Sequence, residues 1–204
     1  MPAAENLSAK GRQTREAIAH AARKLFAERG FHGTTLSDIT AAAGKSPAVF
    51  YRYFTDKEDL LAALARSFLD DVVRPSGLSM SLPDSADDDA FFTTVVTGYW
   101  TMFTQNIGIM IAMAQLAATQ PRFAAVQNEF RRFGIDIVAA SVRRAQEQGY
   151  GGELDPELTA AAIALLFENF TTVVVGSSGL GIDIDDEHAI ATLSRIWKKT
   201  LYGY

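Results

Sequence analysis

The chain of 204 residues is long enough for one larger domain or two small ones with a real core. Its hydrophobic share of 48% and charged share of 21% argue against disorder beyond the ends, and the absence of cysteine excludes disulfides, thiolate metal sites and a cysteine nucleophile. The formal charge of −5 hides an asymmetry: residues 1–55 carry eight Lys and Arg against four Asp and Glu, the remainder eleven against twenty, so the basic end is the candidate for nucleic acid.

The first twenty residues lack a continuous apolar signal core, and runs such as IGIMIAMAQLAA fall short of the roughly 18 residues of a membrane span. The expectation is a cytoplasmic chain with no membrane segment. Helical periodicity then dominates. Ile18, Ala22, Leu25 and Phe26 mark a first helix over Thr14–Arg29, stopped by Gly30. Thr35 with Asp38 opens a second that ends at Gly44. Ser46 is a natural N-cap and Pro47 a natural first residue for a third, Pro47–Tyr53, of about two turns. Thr55 and Glu58 read as a capping box for a fourth that runs to about Arg74.

The turn-rich stretch Ser76–Asp89 reads as a loop or boundary. Longer helices are expected beyond it: Ala90 to about Asn106, Ile107 to about Thr119, Pro121 to about Gln148, Pro156 to about Val175 behind Asp155, and Asp186–Leu201. The fold class is all-α: a three-helix helix-turn-helix head over residues 1–55, with a basic arm at 1–12, and a larger helical body over 56–204. Within the body, residues 56–74 form the connecting helix.

Two short helices around Ala43-Gly44-Lys45 have the layout of a helix-turn-helix, whose second helix enters the DNA major groove. The N-terminus of that helix, with Ser46, offers donors to a phosphate, and Pro47 and Ala48 are small enough for close approach. Lys45, Tyr51, Arg52 and Tyr53 would reach phosphates or base edges, and Val49 a thymine methyl. Phe50 and Phe54 belong on the opposite face, as core. Lys10, Arg12 and Arg15 are either a disordered arm or a minor-groove or phosphate contact.

The segment TREAIAHAARKLFAERGFHGTTLSDITAAAGKSPAVFYRYFTDKEDLL resembles the N-terminal domain of the TetR family of transcriptional regulators, with Leu25-Phe26, Gly30-Phe31, Thr34-Thr35, Asp38-Ile39, Ala43-Gly44, Tyr51-Arg52-Tyr53-Phe54 and Lys57-Glu58-Asp59-Leu60 in register. The resemblance implies DNA contacts at Thr35, Ser46, Pro47, Ala48, Tyr51, Tyr53 and Lys57. It also implies a homodimer through the last two helices and a body that encloses an effector pocket. Lys45 replaces a common valine, so either its stem packs while its amine snorkels, or the turn is looser. Thr40 and Ala48 replace a common alanine and glycine.

In the body, a stripe of Ala160, Ala164, Thr171 and Val174, with Ile190, Leu193 and Trp197 of the last helix, is suited to packing on a symmetric copy or within the core. Tyr99, Trp100, Phe103, Met110, Met113, Phe130, Phe133, Phe167 and Phe170 suit an adaptable apolar cavity. Gln105, Asn106, Gln115, Glu168 and Asn169 are polar residues in apolar helices that a ligand could partner, and Asn169 joins the candidate ligand contacts. An uncompensated Glu168 in the cavity would favour a cationic effector. Otherwise a large, mostly apolar molecule is expected: a lipid, acyl, steroid or drug-like compound.

His20, His32 and His188 form no ligand pair, so no metal or cofactor is expected. No Glu-x-x-His pair, phosphate-cradling glycine loop or nucleophile elbow supports an enzyme. The expected function is a ligand-responsive repressor that binds a pseudo-palindromic DNA operator as a homodimer. A helical protein-binding module is the competing class.

Overall fold

The computed structural model describes residues 7–70, 82–176, 181 and 184–203, and the regular elements among them are all helices. They are α1 (Ala9–Arg29), α2 (Leu36–Ala42), α3 (Pro47–Phe50), α4 (Lys57–Phe68), α5 (Asp89–Gln105), α6 (Ile107–Ala117), α7 (Pro121–Glu147), α8 (Pro156–Gly176) and α9 (Asp186–Tyr202).

Local chemistry sets most of the boundaries. Ser8 caps α1 by accepting the Gly11 N–H, which starts the helix five residues before Thr14. Lys10 and Arg12 therefore lie on a helix rather than on an arm reaching to residue 12. At α2 the expected box is complete: Thr35 Oγ1 accepts from Asp38 N at 3.1 Å and Asp38 Oδ2 accepts from Thr35 N at 2.8 Å. The Thr35 hydrogen bonds hold the Asp38 carboxyl below the usual carboxylate range.

At α4 the box is not the one expected. Asp56 Oδ1 accepts from Asp59 N at 2.7 Å and Asp59 Oδ2 accepts from Thr55 N at 2.9 Å. Glu58 is drawn away to Arg122 and Gln120, at 2.8 and 3.0 Å. Residues 71–74 of the anticipated connecting helix, and residues 76–81 of the turn-rich stretch, lie outside the described residues. Farther on, Asp88, Asp155 and Asp185 accept the N–H of Phe91, Leu158 and His188 and so cap α5, α8 and α9.

The chain divides into two compact units, Met1–Phe68 with Asn106–Gln127, and Leu69–Gln105 with Asn128–Tyr204. In the first, α1 packs on α2, α4 and α6. Ile18, Phe26, Ile39, Phe50, Phe54, Leu60 and Leu61 form its interior. Residues 106–127 join this unit although the sequence reading gave them to the body. Gly108 explains why: a Cβ there would stand 2.5 Å from Ala27 N and from the Phe26 carbonyl carbon, so α6 touches the α1 backbone directly.

The second unit is built from α5, most of α7, α8 and α9. Trp197 sits at its centre, with ring contacts to Phe91, Phe92 and Phe167 and an indole N–H donated to Ser141 Oγ at 3.1 Å. α8, at 21 residues, is by length and composition apolar enough to cross a membrane, and little of it is buried within the chain.

Candidate DNA-reading surface and interior cavity

α2 and α3 are joined by a tight turn. Gly44 takes φ 62°, a left-handed conformation that side chains resist, and the turn closes with Gly44 N–H to Ala41 O at 3.0 Å and Lys45 N–H to Thr40 O at 2.8 Å. Lys45 is half-buried in this closed turn, so its stem packs and the turn is not loosened. Ser46 Oγ accepts from Val49 N and Pro47 opens α3.

The regular helix is shorter than expected, ending at Phe50. From there the chain tightens, with Arg52 N–H to Val49 O and Tyr53 N–H to Phe50 O. Phe50 and Phe54 are both buried, their centroids 5.5 Å apart, and the chain has to bring the second ring inward within four residues.

The outward face carries Ser46, Pro47, Ala48, Tyr51 and Arg52, all exposed, with Tyr51 at 58%. Thr35 is exposed at the start of α2, and Val49 and Tyr53 are half-buried. The Tyr53 hydroxyl lies beside Gly11, and the Arg15 guanidinium stands 5.2 Å above the Phe54 ring, so α1 braces the reading helix from behind.

Lys57 is placed differently from a purely outward cation. Its Nζ donates to Phe31 O at 2.6 Å and Thr34 O at 2.7 Å and lies 4.3 Å from the Phe31 ring centroid. Burial draws its pKa below the ordinary lysine value, against the opposing effect of neighbouring Glu58. Lys57 thus ties the α1–α2 turn to α4, and this partnership is not local in sequence. Lys57→Met keeps the stem over Phe31 and removes both bonds, so it is expected to lower stability by about 1–2 kcal/mol in urea unfolding without DNA. An unchanged midpoint would leave those bonds without structural weight.

The second unit holds a cavity of about 270 Å³. Thr94, Val95, Gly98, Tyr99 and Met102 of α5 line one side, Phe130, Arg131, Phe133, Gly134, Ile137 and Val138 of α7 another, and Ala164, Phe167 and Glu168 of α8 with Trp197 the rest. Of the residues expected to form an apolar cavity, Tyr99, Phe130, Phe133 and Phe167 are brought together here. Trp100 and Phe103 are core residues that do not line it, the Trp100 indole donating to Asp186 Oδ1 at 2.8 Å. Met110 and Met113 are buried in the first unit, and Asn169 is exposed.

The signal that would have found the missed wall is spacing. Thr94, Gly98 and Met102 recur every four residues on α5, and on α7 Gly134 stands four residues after the expected Phe130. The polar residues taken as ligand partners also need correction: Gln105, Gln115 and Asn169 are exposed. Among the described residues, no buried side-chain N or O lacks a hydrogen bond.

Glu168 does face the cavity, and it is compensated. Arg131 grips it through Nε to Oε2 at 2.7 Å and Nη2 to Oε1 at 2.9 Å. That hydrogen bonding raises the Arg131 pKa further, and burial raises that of Tyr99, whose hydroxyl donates to Thr171 Oγ1 at 3.2 Å.

The dimer stripe expected from sequence lies largely inside the chain. Ala160, Thr171, Leu193 and Trp197 are buried in the second unit, Ala164 lines the cavity, and Val174 and Ile190 are half-buried against the core. The exposed large apolar residues of α8 and α9 are instead Leu158 at 73%, Leu165 at 45%, Leu166, Val175 and Ile196.

The first unit thus carries a helix-turn-helix with an outward polar and small-residue face, and the second unit an apolar cavity. Comparison with known proteins shows what the chain resembles. The family described as "Bacterial regulatory proteins, tetR family" matches residues 18–64. The chain is 26% identical over 168 residues to the HTH-type transcriptional regulator UidR of Escherichia coli K12, covering 82% of each. It is 28% identical over 165 residues to the HTH-type transcriptional repressor KstR2 of Rhodococcus jostii, covering 77% of each. Its fold is that of a tetR-family regulatory protein from Rhodococcus RHA1, with TM-score 0.70, 21% identity, and 93% of this chain and 97% of that one covered. The chain is thus similar, in residues 18–64 and in its fold, to transcriptional regulators of the tetR family.

Proposed function

We propose that this regulator is a repressor that binds a pseudo-palindromic operator as a homodimer and leaves it when a small, largely hydrophobic effector enters the cavity of the second unit. The observation that carries the reading is the division of labour within one short segment: Phe50 and Phe54 are buried while Pro47, Ala48, Tyr51 and Arg52 are exposed on the outward face. Ser46, Lys45 and the exposed Thr35 supply phosphate contacts, Tyr53 flanks them, and the third ammonium donor of Lys57 is available to a phosphate beside its two carbonyl bonds. The functional division is a reading domain over 1–55 and an effector and dimer domain over 56–204, linked by residues 56–74.

Support for the homodimer comes from α8, where Leu158, Ala162, Leu165 and Leu166 are exposed at helical spacing on one side, which a second copy would cover. Repression is supported by the name of the Rhodococcus jostii relative. Action on DNA places the protein in the cytoplasm. In a dimer the two reading helices must enter grooves about 34 Å apart, and an effector acts by preferring the state with another spacing.

Selection from a random DNA pool at moderate salt tests this. The expected product is an inverted repeat, bound ever more weakly as salt rises, and bound at least about tenfold more weakly by Tyr51→Ala with an unchanged melting curve. A pool without an enriched repeat, or a Tyr51→Ala protein that binds like the parent, would overturn the reading.

A further inference from the structure

The cavity has one polar feature that limits what can occupy it. Among its lining residues only Arg131 and Glu168 are charged, and each already neutralises the other through two hydrogen bonds. The remaining wall is aliphatic and aromatic apart from Thr94 and Tyr99, and the Tyr99 hydroxyl is donated to Thr171. The Glu168 side chain is 16% exposed and that of Arg131 33%, so the pair belongs to the wall rather than to open surface.

An ion entering such a space gives up its hydration and needs an opposite charge in return. A carboxylate could obtain one only by prising Arg131 from Glu168, which would strand the Glu168 carboxylate against apolar walls. An ammonium would strand the Arg131 guanidinium by the same exchange. A neutral molecule disturbs neither group and gains from the apolar surface it covers.

From this closed ion pair we propose that the effector is an electrically neutral, mainly apolar molecule, and that Arg131 and Glu168 act as a charge filter which rejects acids and amines of the same shape. The proposal rests on the reading of the cavity as the effector site and adds the chemical class of the ligand.

The test uses the full-length protein and three probes with one chain length, 1-decanol, decanoate and decylammonium, titrated by calorimetry at neutral pH. Wild type is expected to bind decanol at least about tenfold more tightly than either ion. Glu168→Gln leaves Arg131 uncompensated and should tighten decanoate by about tenfold or more, whereas Arg131→Gln should do the same for decylammonium. The doubly substituted Arg131→Gln, Glu168→Gln protein is again neutral and should return to preferring the alcohol, which separates charge from shape and from any folding defect of the single variants.

If wild type binds decanoate or decylammonium as tightly as decanol, the filter is overturned while the cavity remains the effector site. The filter is also overturned if folded single variants keep the wild-type ranking. If none of the three probes binds wild type or any variant, the cavity is not the effector site and both readings fall together.

Discussion

Replacing Gly108 by alanine is expected to destabilise the first unit by about 2 kcal/mol, the net of two opposed effects. Alanine is the better helix former, worth up to about 1 kcal/mol over glycine. Against that gain stands the added methyl, which would fall 2.5 Å from Ala27 N and the Phe26 carbonyl carbon and 2.7 Å from Phe26 O. These are main-chain atoms within α1, so no side-chain rotation can make room, and α6 has to move away from α1. Overpacking of this kind costs about 1–3 kcal/mol, here at the upper end because the obstacle is backbone. Gly98→Ala supplies the control, since a Cβ there meets nothing within 4 Å and the same helix preference should act unopposed. In a chain of this size the first substitution should lower Tm by about 4–8 °C and the second should raise it slightly. Equal Tm values for Gly108→Ala and wild type would mean that the close crossing of α1 and α6 is not held in solution.

Trp197→Ala is expected to cost about 3–4 kcal/mol. The ring is 1% exposed, meets Phe91, Phe92 and Phe167, and bonds Ser141 through its indole N–H. Removing a buried aromatic typically costs about 3–5 kcal/mol. The lower part of that range applies because Trp197 also borders the existing cavity, so the space left behind joins an opening already there. This substitution separates two roles for the residue. As a core side chain, it should shift the urea midpoint by the same amount relative to wild type at two widely separated protein concentrations, with no change in mass by sedimentation. A variant that unfolded at the wild-type midpoint but sedimented at half the mass would restore Trp197 to an interface.

These two sites also show what could be read from the sequence. The caps at Thr35, Ser46 and Asp155 were legible because donor and acceptor lie within three residues of each other. Hydrophobic spacing put Phe50 and Phe54 inside for the same local reason. Lys57 was legible as a conspicuous cation but not as a brace, because the carbonyls of Phe31 and Thr34 reach it only through the fold. α8 defeated periodicity more completely. It is apolar on nearly every side, so no pattern of hydrophobicity says which face turns inward, and the small Ala160 and Thr171 are buried while Leu158 and Leu165 are not. The cavity followed the same rule. Aromatic content indicated that an apolar space could form, but the pairing of Arg131 with Glu168 depends on how α7 and α8 pack.

The brevity of α3, only four residues from Pro47 to Phe50, has a consequence for how a genome is searched. About three or four side chains of a reading helix reach base edges, so one head recognises a word of about three or four letters. Such a word recurs by chance roughly every hundred base pairs, among about 10⁶–10⁹ competing positions. A single head is therefore almost blind to location. If the chain binds as the proposed homodimer, an address is built by requiring two such words at a fixed separation, and the interval between them then carries as much of the message as the letters.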